Sequence, residues 1–168
     1  GDVFLGISVP KTRKIAGEYR NLTFDEIEKL AKSDFHEVRL CALIILCNQY
    51  KKSKESKDKK AIFDFYMVQA LKGRVNNWDL VDVSAPTIGQ YLVDFKNPMP
   101  VLRKLSKSKD LWERRIGMIF TFAFLRGGVG RIHTRHKPEG HSNIIDAARH
   151  GAARIKTERQ WNNAIATQ

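Results

Sequence analysis

The segment FHEVRL at residues 35–40 decides the fold, because its pattern returns as LWERRI at residues 111–116, 76 residues further along the chain. Each copy opens an apolar run with a large apolar residue, and each carries a Glu followed by an Arg. Half of that shift, 38 residues, falls on a third segment that begins near Asn77. The sequence therefore predicts an internal repeat with a period of about 38–40 residues.

Helix signals surround these copies, and no alternation typical of strands competes with them. Pro10 suits a first helical turn, and Gly73 and Gly127 stand where helices end. Three helix starts carry the spacing of a capping box, namely Thr23 with Glu26, Asp34 with Glu37, and Asp110 with Glu113. Seven helices are predicted, at about 10–19, 23–32, 35–50, 57–72, 77–93, 98–107 and 110–126. Helix pairs at this period predict an all-α superhelix, a solenoid of HEAT-like or ARM type.

The middle copy differs from the other two at two positions. It has Trp78 where they have Leu40 and Ile116, and it has Asp82 at another position where they are apolar. Either this helix is rotated or out of register, or a carboxylate has been placed in a partly dry site where its reactivity is tuned. Because Trp78 and Asp82 are four residues apart, they share one helix face. That pair suits a cationic planar ligand; the alternative is a core Trp beside an exposed or capping Asp.

The charge of the chain favours a polyanionic partner. It has 30 Lys and Arg against 18 Asp and Glu, a formal net charge of +12 and a pI near 9.9. Such a protein gains affinity for nucleic acid by releasing counterions from phosphates. An anionic membrane surface is the second interpretation, and solubility alone is the third. No run of eighteen apolar residues predicts a membrane span, and the first residues lack the pattern of a signal peptide.

Composition divides the chain at residue 126. Residues 1–126 are predicted to form the helical repeat domain, and residues 127–168 an atypical tail rich in Gly, His and Arg that is partly helical or weakly ordered. His133 and His136 form an HxxH pair in this tail, but no Cys accompanies them, so we expect no metal site. Cys41 and Cys47 are six residues apart inside one apolar helix pattern, which fits two buried thiols in a reducing cytoplasm.

Four segments resemble the DNA alkylation repair enzyme family, the AlkD-like DNA glycosylases. They are residues 4–16, 36–40, 77–82 and 111–116, and they keep the family's order and spacing up to about residue 126. The block NWDLVD at residues 77–82 is the most specific of them. The family also has helices before and after this region that do not match here, so the resemblance implies a superhelix that is truncated relative to the family.

The resemblance implies a function and a set of site residues. Family members hold duplex DNA in a basic concave channel and hydrolyse the N-glycosidic bond of N3- and N7-alkylated purines, with neither metal nor organic cofactor. On this basis Asp82 is the catalytic carboxylate, Trp78 its aromatic partner, and Arg115 the arginine of the site. The DNA contacts expected from the matching segments are Lys11, Arg13, Lys14, Arg39, Asn77 and Arg114.

Two alternatives to the enzyme remain open at the level of sequence. One is a non-catalytic repeat module, a truncated or inactive family member that binds DNA or another acidic partner. The other is a gene remnant that folds poorly. For the enzyme we expect a monomer in the cytoplasm, associated with the nucleoid through DNA and acting in base excision repair.

Overall fold

A computed structural model describes residues 2–95 and 97–127, with side chains through residue 124. This part of the chain is helical, and its only bridge of strand type joins Val3 to Phe35. The all-α prediction is therefore confirmed. The helices are α1 (Val9–Glu18), α2 (Phe24–Ala31), α3 (His36–Lys52), α4 (Ser56–Leu71), α5 (Trp78–Ile88), a 3-10 helix (Gly89–Val93), α6 (Met99–Ser106) and α7 (Leu111–Gly127).

The helices stack in two layers. In the first layer, α1 packs on α3, α3 on α5, and α5 on α7. In the second layer, α2 contacts α4, and α4 contacts the 3-10 helix. The last helix pair, α6 and α7, packs together. The pairs α1–α2 and α3–α4 therefore place one helix in each layer, an arrangement consistent with the predicted helical-repeat superhelix.

The buried positions correct the predicted register of the middle repeat. Shifting α3 by about 41 residues places its buried positions onto buried positions of α5, and a further shift of about 35 reaches α7. The equal half-shift of 38 residues was wrong by about one helical turn. Asp82 consequently does not stand in an apolar slot, and Val81 is the residue equivalent to Leu40 and Ile116. The aligned buried sets are Leu40, Leu43, Ile44 and Cys47; Val81, Ser84, Ala85 and Ile88; and Ile116, Ile119, Phe120 and Ala123.

The helix-start predictions have mixed outcomes. Thr23 and Glu26 form the full capping box expected for α2. The box predicted at Asp34 and Glu37 is wrong, because α3 begins after Phe35 and no side chain caps it. Glu37 instead accepts hydrogen bonds from the backbone amides of residues 5, 6 and 7, at 2.9, 2.9 and 3.3 Å. These bonds tie the segment before α1, which we name the N-terminal strap (residues 2–8), to α3.

The predicted helix 77–93 is divided in two. Pro86 lies inside α5 and has no N–H to give to the carbonyl of Asp82, four residues earlier. Two residues after this proline the α-helix ends, and the tighter 3-10 helix begins at Gly89. The predicted tail, with His133 and His136, lies outside the described residues apart from its first one. Within the described ranges, no helix has the length and apolarity that a membrane span requires.

Candidate active site

The carboxylate of Asp82 forms a two-point ion pair with Arg115, across the contact between α5 and α7. Arg115 donates from Nε to Oδ1 of Asp82 at 2.9 Å and from Nη2 to Oδ2 at 2.6 Å. Charge-assisted pairs with two parallel bonds hold both partners in a defined orientation. The Asp82 side chain is nevertheless 36% exposed, against 16% for Arg115. A carboxylate has about four lone-pair directions, so Asp82 keeps capacity for a ligand or water.

Trp78 lies one helical turn before Asp82, in the first turn of α5. Its side chain is 57% exposed, whereas Leu80, Val81 and Ala85 of the same helix are fully buried. The indole and the carboxylate therefore lie on the face of α5 that turns away from its core contacts. An exposed indole at such a place offers a π-face to a ligand, and a nearby carboxylate offers negative charge. The two residues singled out from the sequence do share one face.

A small cationic cleft lies on the same layer of helices. Its volume is about 160 Å³, and three helices of the first layer form it. The lining residues carry two positive charges, one amide and no negative charge; they are Arg13, Ile44, Cys47, Asn48, Lys51 and Val83. Val83, one of its lining residues, directly follows Asp82 in α5. Two cations and an amide donor suit a phosphate group.

Cys47 lines this cleft as a thiol without nucleophilic character. It is free and buried, and desolvation raises its pKa to about 12. The Sγ atom lies 3.9 and 3.8 Å from the carbonyl oxygens of Val83 and Ser84, as a weak donor. Because only the thiolate reacts readily, this cysteine forms part of the wall rather than of the chemistry. Cys41 is also free but only partly buried, so the prediction of two buried thiols is correct for Cys47 alone.

The predicted DNA contacts divide into exposed and internal residues. Lys11, Arg13 and Lys14 are exposed on α1, and Arg114 is exposed on α7. Arg39 lies inside the protein instead: its side chain is 8% exposed and pairs with Asp2 at 2.6 Å. Its guanidinium also donates to the carbonyls of Ser33 and Asp34. Arg39 therefore fastens the N-terminal strap to α3, and this engagement removes it from the surface that a duplex could reach.

The sequence analysis did not predict that four polar residues of this region, Asp2, His36, Asn77 and Asp79, form a group. His36 is 3% exposed, with Nδ1 at 3.1 Å from Asp2 and Nε2 at 2.7 Å from Asp79. Asn77, a predicted DNA contact, donates from Nδ2 to Asp2 at 3.2 Å. The sequence suggested only an ordinary, partly buried histidine at position 36. The partners are separated by 34, 43 and 75 residues, so no local spacing could have predicted the cluster.

The donor set of the site fits organic acid–base chemistry on an anionic ligand. In the described part of the chain, no group of three His, Cys, Asp or Glu side chains is arranged to hold a metal ion. The elements that are present are an oriented carboxylate, an exposed indole and, on α1, α3 and α5, a cleft with two cations. Such an arrangement can stabilise positive charge on one part of a ligand while binding a phosphate on another.

Comparison with known families agrees with this description. The DNA alkylation repair enzyme family matches residues 1–148, and the chain belongs to that family. The match extends beyond residue 126, the end of the region that resembles the family by its motifs. Neither a curated protein nor a solved structure matches the chain. Membership of a DNA alkylation repair family indicates DNA as the partner.

Proposed function

We propose that this protein is a DNA glycosylase that hydrolyses the N-glycosidic bond of cationic N3- or N7-alkylated purines in duplex DNA. The observation that carries the proposal is the Asp82–Arg115 pair, which orients a partly exposed carboxylate one helical turn from the exposed Trp78. Family membership supplies the context of alkylation damage. The narrower assignment to these purines rests on the chemistry below.

The reaction requires a negatively charged group beside the sugar and does not require a general acid to protonate the leaving base. Alkylation at N3 or N7 gives the purine a positive charge, so the base departs with the bonding electrons as a neutral molecule without being protonated. Positive charge then develops on the sugar, as in glycoside hydrolysis. An ionised Asp82 stabilises that charge and directs a water molecule to the anomeric carbon. The water oxygen forms the new bond to that carbon, and its proton passes through Asp82 to solvent.

The surrounding residues have separate tasks in this proposal. Trp78 contacts the cationic base or the adjacent sugar through its π-face. Arg115 keeps the Asp82 carboxylate oriented through its two hydrogen bonds. The cleft lined by Arg13 and Lys51 receives a backbone phosphate of the DNA.

Base release from methylated duplex tests the proposal. The wild-type protein in excess over DNA should release 7-methylguanine or 3-methyladenine. Asp82→Asn should abolish release and leave duplex binding nearly unchanged, because the amide keeps the shape of the side chain and loses its charge. Asp25→Asn, at an exposed position on α2, is the matched control and should retain activity. Duplex binding by the wild type without base release would reject the glycosylase and favour a non-catalytic DNA-binding module.

A further inference from the structure

The two residues that flank Trp78 in the chain are both held by one buried cluster. On one side, Asn77 Nδ2 donates to Oδ2 of Asp2 at 3.2 Å. On the other side, Oδ2 of Asp79 lies 2.7 Å from Nε2 of His36. His36 in turn contacts Asp2 through Nδ1 at 3.1 Å. The backbone on each side of the indole is therefore attached to the N-terminal strap and to α3.

Both ring nitrogens of His36 contact a carboxylate. Nδ1 faces an oxygen of Asp2, and Nε2 faces an oxygen of Asp79. Arg39 binds the other oxygen of Asp2, at 2.6 Å. The ring of Phe4 stacks on His36 at a centroid distance of 4.7 Å.

Asp2 is held in its ionised form within this cluster. Burial raises the pKa of Asp2, but hydrogen bonds from Asn77 and His36 and the charge of Arg39 outweigh burial and lower the pKa below its usual value. An anion that is stabilised by three separate partners is a rigid point of attachment. The strap, α3 and the start of α5 meet at this one carboxylate.

The N-cap residue of α5 does not cap its own helix. Asn77 is the N-cap residue, but its side chain makes no capping hydrogen bond. The first backbone N–H groups of a helix lack intrahelical partners, and a poorly capped first turn opens readily. Asp79 accepts from the Leu80 amide with its Oδ1 at 2.8 Å, while its Oδ2 contacts His36. The long-range contacts of Asn77 and Asp79 therefore hold both neighbours of Trp78, beside one local bond.

We propose that Asp2, His36 and Asp79, named here the anchor cluster, are positioning residues that fix Trp78 over the site. The proposal rests on the function proposed above, in which Trp78 contacts the damaged nucleotide. The anchor cluster does not touch the reacting atoms. It holds the first turn of α5 so that the indole stays on the face of Asp82 before DNA arrives, which lowers the entropic cost of reaching the reactive geometry.

The fluorescence of Trp78 reports on the anchor cluster without any assumption about activity. The chain has three tryptophans, so a background with Trp112→Phe and Trp161→Phe leaves Trp78 as the sole emitter. In this background, the time-resolved fluorescence anisotropy of Trp78 should decay mainly with the rotational correlation time of the whole protein. Asp79→Ala and His36→Gln should each add a large nanosecond component, the timescale of side-chain and loop motion.

Single-turnover kinetics then separate positioning from folding. Asp79→Ala and His36→Gln should lower the maximal rate of base release by about 10- to 100-fold, the effect expected for a misplaced contact group. The DNA concentration for half-maximal rate should stay within about twofold of the wild-type value, because the phosphate contacts are intact. If one variant does not fold by circular dichroism, the other and the milder Asp79→Asn carry the test.

Glu28→Gln is the matched control, because it removes an ion cluster that shares no residue with the anchor cluster. The Glu28 carboxylate ties Lys72 and Arg74 together at 3.2 and 2.9 Å. This variant should lose stability but keep both the anisotropy decay and the rate. Unchanged anisotropy in Asp79→Ala and His36→Gln would overturn the anchor-cluster proposal. If the wild type releases no base, the proposed glycosylase function fails, and the anisotropy still decides whether the cluster positions Trp78.

Discussion

Arg115 binds both carboxylate oxygens of Asp82. Arg39 stands at the equivalent position of α3 and also binds an aspartate, through one oxygen of Asp2. In these two repeats, the first and the third, an arginine of a first-layer helix reaches back to an aspartate of a preceding segment. The two copies differ in access: the Asp2 side chain is 14% exposed and that of Asp82 is 36% exposed. The Asp2–Arg39 pair is therefore mostly internal and structural, whereas the Asp82–Arg115 pair is accessible to a ligand.

The two-point geometry of the Asp82–Arg115 pair predicts that lysine will not replace Arg115. Lysine keeps the positive charge, but its point-like ammonium cannot form the two parallel bonds of a guanidinium. Losing one charge-assisted hydrogen bond, worth about 1.5–3 kcal/mol, should reduce the single-turnover rate of Arg115→Lys by about 10- to 100-fold. Arg103→Lys, at an exposed position of α6, should keep the wild-type rate. A fully active Arg115→Lys would show that the orientation of Asp82 does not limit the reaction.

The cationic cleft predicts a change in the salt dependence of DNA binding. Lys51→Gln and Arg13→Gln each remove one of its two positive charges. Each variant should weaken duplex binding and lower the slope of log Kd against log salt by about 1, the value for one lost phosphate contact. Fluorescence anisotropy with labelled duplex between roughly 50 and 200 mM salt measures the slope. Lys29→Gln, exposed on α2 in the second layer, is the control, and an equal change there would mean a diffuse charge effect.

The sequence predicted the helices well because their signals are local. Caps and terminators such as Thr23 and Gly73 lie beside the turns that they define, and Gly73 has the left-handed φ of +68° expected at a helix end. The division of the helix at 77–93 was missed, although Pro86 was visible inside it. The false capping box at Asp34 and Glu37 arose because a tertiary partner, the strap amides, competes for the Glu37 carboxylate.

The sequence predicted only the part of the site that depends on local spacing. Trp78 and Asp82 share a helix face by their spacing, which needs no tertiary information. The expectation for Arg115 came from the family resemblance, since an ion pair between residues 33 apart leaves no local pattern. For the same reason the sequence did not separate the internal Arg39 from the exposed Arg114. The two arginines have similar neighbours in the sequence. Their different burial arises only when the helices pack.

The carboxylate of Glu28 predicts a stability difference that depends on pH. Hydrogen bonds from Arg74 and Lys72 lower the pKa of Glu28 from its usual 4.5 to about 2. Because the folded-state pKa is the lower one, ionised Glu28 stabilises the fold above the usual pKa, and this contribution is lost as the pH falls toward 2. Glu28→Gln should therefore lower Tm at neutral pH, and its difference from the wild type should shrink through that acid range. Glu18→Gln, exposed at the end of α1, should show no such pH dependence, and a constant difference for Glu28→Gln would contradict the assignment.

Two glycines at the α7 contacts predict a penalty for added volume. A Cβ atom on Gly89 would lie 2.6 Å from Cδ1 and 3.1 Å from Cα of Phe120, and one on Gly117 would lie 2.8 Å from Cβ of Leu105. The backbone and Cβ atoms of these neighbours cannot rotate away, so the helices must move apart. Gly89→Ala and Gly117→Ala should each lower the free energy of unfolding by about 1–3 kcal/mol in urea titrations.

Gly17→Ala is the matched test of whether volume or helix propensity decides these effects. A Cβ atom on Gly17 would meet nothing within 4 Å, and the residue lies within α1. Alanine is favoured over glycine inside a helix, so this variant should gain up to about 1 kcal/mol of stability. If all three alanine variants changed stability in the same direction and by the same amount, the close approach of Gly89 and Gly117 to their neighbours would not be what holds α7 in place. A loss confined to those two would instead show that α7, and with it Arg115, is seated on the 3-10 helix and α6 by contacts that leave no room for a methyl group.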